Sequence, residues 1–187
     1  VQTERLDFDA LESLVPDAYA AHWQETLGFL KILTETWPAV LEGEGAIDPA
    51  DRRNRLLQAR GEAWRRDPPR DPVIAAGSTG SIPATADLLA TVAGLPSGYV
   101  VLPGLDRVLD TDSWANLDSG HPQFGLRQLL QHLEADRMDV GEWPSATDAR
   151  GDGPARERLI GEALRPAATT QAWRDERGSI GADALRE

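Results

Sequence analysis

One segment, residues 72–102, restricts the folds open to this chain more than any other. It predicts a short buried strand at residues 73–76, a turn of small residues, a helix from Pro83 to Gly94, and a second strand at residues 99–102. Proline suits the first turn of a helix, because the backbone N–H that it lacks has no helical partner there. Two strands joined through a helix by tight turns run parallel, with a right-handed crossover. The segment therefore predicts an α/β fold whose turn lies at the sheet edge where such folds bind ligands.

The turn after the first strand lacks the side chains that nucleotide hydrolysis needs. ATPases and helicases place acidic residues there to hold Mg²⁺, whereas residues 75–78 are Ala-Ala-Gly-Ser. The only lysine, Lys31, lies within a helical pattern. The sequence therefore has no P-loop, which needs Gly-Lys-Ser/Thr, and no nuclease site that sets lysine beside two acids. The architecture of a nucleotide-driven motor is predicted without its chemistry.

Composition excludes further classes of enzyme. The absence of cysteine rules out thiolate zinc sites, iron–sulfur clusters and disulfides. The three histidines, His22, His121 and His132, are far apart and lack the spacing of metal ligands. We therefore expect no catalytic residue, no metal and no cofactor in this chain.

Charge and hydropathy bear on partners and location. The net charge of −12 argues against a free-standing nucleic-acid binder, although an acidic segment of a larger basic assembly is compatible with it. No signal peptide or membrane-length apolar run is found, which predicts a cytoplasmic location. The sequence opens Val1-Gln2-Thr3 without an initiator methionine, so we expect a piece of a longer protein.

The sequence divides into three regions. Residues 1–67 predict a helical, insertion-like region, residues 73–144 the α/β region, and residues 145–187 a polar loop followed by helices near 154–164 and 167–173. The first boundary is the proline-rich linker 68–72, where proline disfavours helix. Within the α/β region we expect a helix over residues 122–135 and a third strand over residues 138–143.

Two helices are predicted in the first region. Apolar residues recur at helical spacing over residues 23–41, and further apolar residues widen the stripe, so we expect a helix covered on more than one side that kinks or restarts at Pro38. The next helix has Asp48 as N-cap and Pro49 in its first turn. Its predicted inward residues are Leu56, Leu57 and Trp64. Its arginines favour a solvated face with salt bridges over a DNA-binding groove; they are Arg52, Arg53, Arg55, Arg60, Arg65 and Arg66.

The turn after the first strand is the main candidate for a binding site. Gly77, Ser78, Thr79, Gly80 and Ser81 could form an anion nest, in which backbone N–H groups and the helix dipole point at a phosphate. The favoured alternative is a tight strand-to-helix turn with Ser81 as N-cap. The turn does not match the dinucleotide-binding fingerprint, because it has only two glycines. Its hydroxyl residues have no histidine or acid nearby in sequence, so nucleophilic catalysis has no local support.

Two other groups of residues have both a functional and a structural interpretation. Four aspartates after the second strand could hold a divalent metal, but without regular ligand spacing a solvated acidic loop is favoured; they are Asp106, Asp110, Asp112 and Asp118. Asp110 and Asp112 are expected to cap the short turn around Trp114. His121 could act as a general base or contact a phosphate, and a capping role is favoured. Most of the six tryptophans are predicted to lie in the core.

Several segments of the chain resemble one family. Residues 72–106 and the run His121-Pro122-Gln123-Phe124-Gly125-Leu126 are similar to the alphaproteobacterial type of the AddB subunit of the AddAB helicase–nuclease. Trp37-Pro38, the segment 48–54 and Leu164-Arg165-Pro166-Ala167 resemble the same family in the same order. The resemblance covers most of the chain, and the run 77–85 is specific to the family.

The resemblance implies a fold and a function. AddB carries an inactivated superfamily 1 helicase core and a nuclease domain with an iron–sulfur cluster, in a complex that resects DNA double-strand ends and reads the Chi sequence. This chain would be a non-catalytic piece of the helicase-like half: a small parallel βαβ sheet with a helical insertion before it and helices after it. The P-loop and nuclease segments lie outside these residues, so no catalytic residue of the family is carried over.

The resemblance also implies partners. They are DNA and the AddA-type subunit of a complex with ATP-dependent helicase and exonuclease activity. The chain by itself should bind DNA weakly and without sequence preference. The alternative is a small α/β enzyme or binding protein for a phosphorylated ligand at residues 77–81.

Overall fold

Helices make up most of the fold, and two short strands lie between them. The computed structural model describes residues 26, 28–30, 32–142, 153–171 and 173. Within these residues the order is α1 (Trp37–Gly43), α2 (Pro49–Arg66), β1 (Val73–Ala76), α3 (Pro83–Ala93), β2 (Gly98–Val101), α4 (Thr111–Ala115), α5 (Phe124–His132) and α6 (Gly153–Ala163). A π-helical turn, Ile32–Thr36, precedes α1, and 3-10 turns cover Arg137–Asp139 and Ala167–Thr169. The chain is thus a mixed α/β protein, as the sequence predicts.

The predicted βαβ unit is present, with β1 and β2 as parallel neighbours. Ile74 pairs in register with Tyr99, and Ala75 pairs with Val100. The core beneath the sheet is formed by α3 and α5; its buried residues are Ala86, Leu89 and Leu129, and Ala75, Val100, Leu102 and Leu133 pack against them. Because the strands are parallel, their carboxyl ends share one edge, from which the loop 77–81 and the segment after β2 both continue.

Gly98 allows β2 to start close to the end of α3. A Cβ atom built at this position would lie 1.8 Å from the carbonyl oxygen of Val92 and 2.9 Å from Cβ of Leu95. Real Cβ atoms essentially never approach other atoms so closely, so any side chain here would have to displace the backbone of α3. The tight turn of the βαβ unit therefore depends on glycine at this position.

Helix α2 begins as predicted and packs against α3. The Asp48 carboxylate accepts hydrogen bonds from the N–H groups of Ala50, at 2.7 Å, and Asp51, at 3.3 Å. Gly61 lies against α3, where an added Cβ would be 3.2 Å from the Thr91 hydroxyl. The prediction that Leu56 faces inward is wrong, since this residue is 58% exposed. Helical spacing shows which residues of α2 form an apolar stripe, but it does not show which side of that stripe contacts another element.

The helical segment before Gly43 differs in burial from the prediction. Pro38 lies in the first turn of α1, directly after the π-helical turn, so the helix changes from π to α form near the predicted position without a break. The expected cover on more than one side is absent from the described residues, where Phe29 is 66% exposed and Ile32 is 52% exposed. Trp23 and Leu27 lie outside the described residues. The apolar stripe of this segment therefore faces solvent along much of its described length.

The region after β2 contains a helix as predicted, but its described residues, up to Glu142, form no third strand. Leu126, Leu129 and Leu130 are buried on the inner face of α5. The prediction of a strand at residues 138–143 is wrong for residues 138–142, which are the part of it that the structure describes. Asp136 closes a 3-10 turn there, because its carboxylate accepts a 2.7 Å hydrogen bond from the N–H of Met138. That contact takes a backbone donor that a strand ladder would need.

The third region also has the predicted helical character. Helix α6 is followed by the 3-10 turn, and Trp173, at the end of the described residues, is again helical. No helix in the described part of the chain combines the length and the apolar character needed to cross a bilayer. The boundary at residues 68–72 stays a prediction; α2, on its amino-terminal side, packs on α3 of the α/β region.

Candidate functional site

The loop at residues 77–81 leaves β1 in a glycine-dependent conformation. Gly77 and Gly80 have φ angles of 78° and 62°, in the left-handed region that other residues avoid. The N–H of Gly80 donates a 3.3 Å hydrogen bond to the hydroxyl of Ser78, which closes the loop on itself. This contact uses one of the backbone donors that an anion nest would offer.

The start of α3 supplies few further donors. Its N-cap is Ile82, without a side-chain cap, so the predicted N-cap role of Ser81 is wrong. Pro83 has no N–H, and the N–H groups of Thr85 and Ala86 both donate to the carbonyl of Ile82, at 2.8 and 3.0 Å. The anion site at residues 77–81 stays a prediction, and the donors left for a phosphate are fewer than the sequence suggests.

The same loop has a packing role. A Cβ atom on Gly80 would lie 2.7 Å from Cδ1 of Leu129, and one on Gly125 would lie 4.0 Å from Cβ of Thr79. Glycine thus lets the loop lie directly against α5. This contact explains the small residues of the loop without a ligand.

The four aspartates after β2 form turns. Asp106 accepts 2.8 Å hydrogen bonds from the N–H groups of Val108 and Leu109, and Asp118 accepts one of 2.9 Å from Gly120. Asp110 is the N-cap of α4, as predicted, whereas Asp112 uses its backbone carbonyl rather than its carboxylate. Among the described residues, no group of three or more potential ligands is placed to hold a metal ion. The carboxylates of Asp106, Asp110 and Asp118 accept hydrogen bonds from backbone N–H groups of their own loop.

His121 joins two segments. Its Nδ1 accepts a 3.1 Å hydrogen bond from the N–H of Gln123, but the N-cap of α5 is Gln123 itself, so His121 is not the cap of this helix. Its Nε2 lies 2.8 Å from the carbonyl oxygen of Leu164, so it donates as Nε2–H. Nδ1 thus fixes the ring within the loop before α5, and Nε2 joins this loop to the segment after α6.

A polar cluster that sequence reasoning missed lies beside this histidine. Arg165 is its centre, with a side chain only 3% exposed. Its Nη1 contacts the Asp110 carboxylate and donates a 2.9 Å hydrogen bond to the hydroxyl of Ser113. Its Nε and Nη2 donate to Glu162 at 2.8 and 2.5 Å. Arg165 is 52 residues from Ser113 and 55 residues from Asp110 in sequence, and no local pattern links it to either residue.

The electrostatics of the cluster favour the charged forms. Hydrogen bonds to Glu162 raise the pKa of Arg165 above its ordinary value, against the opposing effect of burial, and Asp110 adds to this increase. Burial acts to raise the pKa of Asp110, but hydrogen bonds from Ser113 and Arg165 together lower it below 3.8. Ser113 is fully buried and lies 2.7 Å from the Thr169 hydroxyl. The cluster is therefore a docking contact for the segment after α6.

The arginines of α2 lie on the surface, as predicted. Arg55 pairs with Asp51 at 2.7 Å in an exposed contact. The guanidinium of Arg60 lies 5.4 Å from the ring of Trp64, and Arg65 donates to the Thr91 hydroxyl at 3.2 Å. These are contacts within the protein, which supports the interpretation of a solvated, salt-bridged face.

Comparison with protein-family models, with curated proteins and with solved structures gives no match for this chain.

Proposed function

We propose that this chain is a non-catalytic, helicase-like module of an AddB-type subunit in a helicase–nuclease that processes DNA double-strand ends. The observation that carries the proposal is the β1–α3–β2 unit. Its two strands are parallel and its loop emerges at the carboxyl edge, yet residues 75–78 supply no carboxylate where an active motor would hold Mg²⁺. A superfamily 1 helicase-like core that has lost hydrolysis accounts for both features.

The open face of the sheet supports a place within a larger protein. Ile74 is 56% exposed and its register partner Tyr99 is 55% exposed. Parallel sheets are almost always covered on both faces, and a two-stranded sheet is marginal without further support. We infer that another part of an AddB-type subunit covers the Ile74–Tyr99 face.

In this role the chain would support DNA-end processing and the assembly of the subunits. Its partners would be the remainder of the subunit, the AddA-type subunit and DNA. With a net charge of −12 and surface arginines that already have contacts within α2 and α3, the chain alone should bind DNA weakly and without sequence preference. A phosphorylated-ligand protein at residues 77–81 is the weaker alternative, because the loop and the start of α3 leave few free donors.

The test uses the sheet face within the parent complex. Replacing Ile74 and Tyr99 together by serine should leave the isolated chain folded, since both side chains are largely exposed, and should impair assembly with the rest of the subunit and DNA-end resection. The matched control is Leu56→Ser, an apolar residue of similar exposure on α2. We measure complex formation by size-exclusion chromatography and resection on linear duplex DNA.

Two outcomes would contradict the proposal. One is normal assembly and resection by the double variant. The other is ATP hydrolysis by the purified chain that disappears on substitution of Ser78 or Thr79, which would favour the phosphorylated-ligand alternative.

A further inference from the structure

One cavity of the described structure lies away from the loop at residues 77–81. It has a volume of about 390 Å³, within the usual range for small-ligand pockets. It lies between the end of α4, the second half of α5 and the 3-10 turn Arg137–Asp139. We call it the arginine pocket, defined by Trp114, Arg127, Leu130, Gln131, Asp136 and Arg137.

Arg127 is held in this pocket by neutral acceptors. Its Nη1 donates to the carbonyl oxygens of Trp114 and Ala115, at 3.1 and 2.7 Å, which lie at the carboxyl end of α4. Its guanidinium lies 5.3 Å from the ring of Phe124. Its Nε is buried and has no hydrogen-bond partner. These contacts fix the position of the guanidinium and leave its charge unneutralised.

Arg137 is more deeply buried and is held in a similar way. Only 9% of the residue is exposed. Its Nη1 donates a 3.3 Å hydrogen bond to the carbonyl oxygen of Asp106, and its guanidinium lies 4.6 Å over the ring of Trp114. A backbone carbonyl and the indole ring position this cation, whereas backbone carbonyls and the Phe124 ring position Arg127.

Neither arginine has an ion pair with a carboxylate in the part of the chain that the structure describes. Burial of a charge is costly unless an opposite charge compensates it, and this chain has 31 acidic residues against 19 basic ones. By contrast, in the 360 Å³ cleft between α2 and α3 the Nε2 atom of His132 lies 3.1 Å from a carboxylate oxygen of Asp87. The cavity therefore contains two positioned guanidinium groups whose positive charges have no ion pair, and such a pair of cations suits a negatively charged ligand.

We propose that the arginine pocket binds a phosphate monoester group, a site separate from residues 77–81. Two guanidinium groups match the charge of a phosphate dianion better than that of a single carboxylate, and guanidinium N–H groups bind phosphate oxygens in pairs. The group could belong to a free phosphomonoester or to the terminal phosphate of a DNA strand. Asp136 is the acidic residue that lines the pocket, and its carboxylate also caps the 3-10 turn through Met138.

The first experiment is isothermal titration of the full 187-residue chain with inorganic phosphate at constant ionic strength. We expect saturable binding of one phosphate per chain with a Kd of about 1 mM or tighter. Arg127→Gln and Arg137→Gln should each weaken binding about tenfold or more, because each removes charge-assisted hydrogen bonds. The matched control is Arg60→Gln, which removes an arginine that also lies over a tryptophan but far from the pocket in sequence; it should bind phosphate like the unmodified chain.

Asp136→Asn tests the pocket without removing an arginine. Asparagine keeps the capping oxygen and removes the negative charge, so binding should strengthen about twofold to fivefold. This variant keeps the proposal testable if circular dichroism shows that an arginine variant does not fold.

The source of the phosphate is then separated with two further probes. A nucleoside 5′-monophosphate represents a free phosphomonoester, and a 5′-phosphorylated oligonucleotide, compared with its 5′-hydroxyl form, represents a strand end. Tighter binding of either phosphorylated probe than of its unphosphorylated form supports the site and names its source. The absence of saturable phosphate binding, equal weakening by Arg60→Gln, or preference for acetate over phosphate would overturn it.

Discussion

Replacement of Gly98 by alanine tests the packing of the βαβ unit directly. The added Cβ would lie 1.8 Å from the carbonyl oxygen of Val92, and that oxygen also accepts a 3.1 Å hydrogen bond from the N–H of Leu95 at the end of α3. Relief of the clash therefore requires movement of backbone and strains or breaks this hydrogen bond. Overpacking costs about 1–3 kcal/mol when side chains can adjust. Because the added Cβ meets a main-chain atom here, we expect the unfolding free energy to fall by the upper end of this range, about 3 kcal/mol.

The assay is thermal and urea unfolding followed by circular dichroism. For a chain of this length a loss of 3 kcal/mol corresponds to a decrease of about 6–12 °C in Tm. Gly94→Ala is the matched control, since Gly94 has a φ of −84° and its added Cβ would lie 3.6 Å from the nearest carbonyl oxygens. That variant should be unchanged or up to about 1 kcal/mol more stable. Equal Tm values for Gly98→Ala and the unmodified chain would refute the reasoning.

The remaining predictions concern polar contacts. Arg165→Met should lower the unfolding free energy by about 3 kcal/mol, because Glu162, only 13% exposed, loses its ion pair; a loss below about 1 kcal/mol in urea unfolding would argue against a docking role. Asp48→Ala should cost about 1 kcal/mol through loss of the N-cap, whereas Asp48→Asn should retain most of it. The pKa of Asp110 is lower in the folded chain than its ordinary value of 3.8. The ionised carboxylate therefore stabilises the fold fully when the pH is above 3.8, and this stabilisation is lost as the pH falls through the pKa of the folded state. Acid unfolding monitored by circular dichroism should therefore show a weaker pH dependence in Arg165→Met than in the unmodified chain.

Features set by neighbouring residues could be predicted from the sequence. The strand at Val73–Ala76, the helix start at Pro83 and the N-cap at Asp48 depend on local propensities, turn residues and capping, and all three agree with the structure. The N-cap of α3 shows the limit of this approach. Ser81 has the better capping side chain, but the loop needs one more residue to turn from Gly80 into the helix, and Ile82 takes the position.

Features set by distant residues could not be predicted. Periodicity placed Leu56 on an apolar stripe, yet its exposure depends on where α3 lies. Arg165 meets Asp110 only through the packing of α6, and Arg137 meets Trp114 only because a 3-10 turn replaces the expected strand. A single charged residue gives no signal of its partner, so both the docking cluster and the arginine pocket required the structure.

The long sequence separation within the docking cluster has a kinetic consequence. The bond between Arg165 and Ser113 closes a loop of 52 residues, whereas β1 and β2 are joined through one short helix. Because closing a longer loop costs more entropy, we expect the βαβ unit to form early and the segment after α6 to attach after the main barrier. Substitutions at Arg165 should then accelerate unfolding and leave the refolding rate nearly unchanged in stopped-flow measurements. The lifetime of the native state would thus depend on a segment that contributes nothing to the speed with which the chain folds.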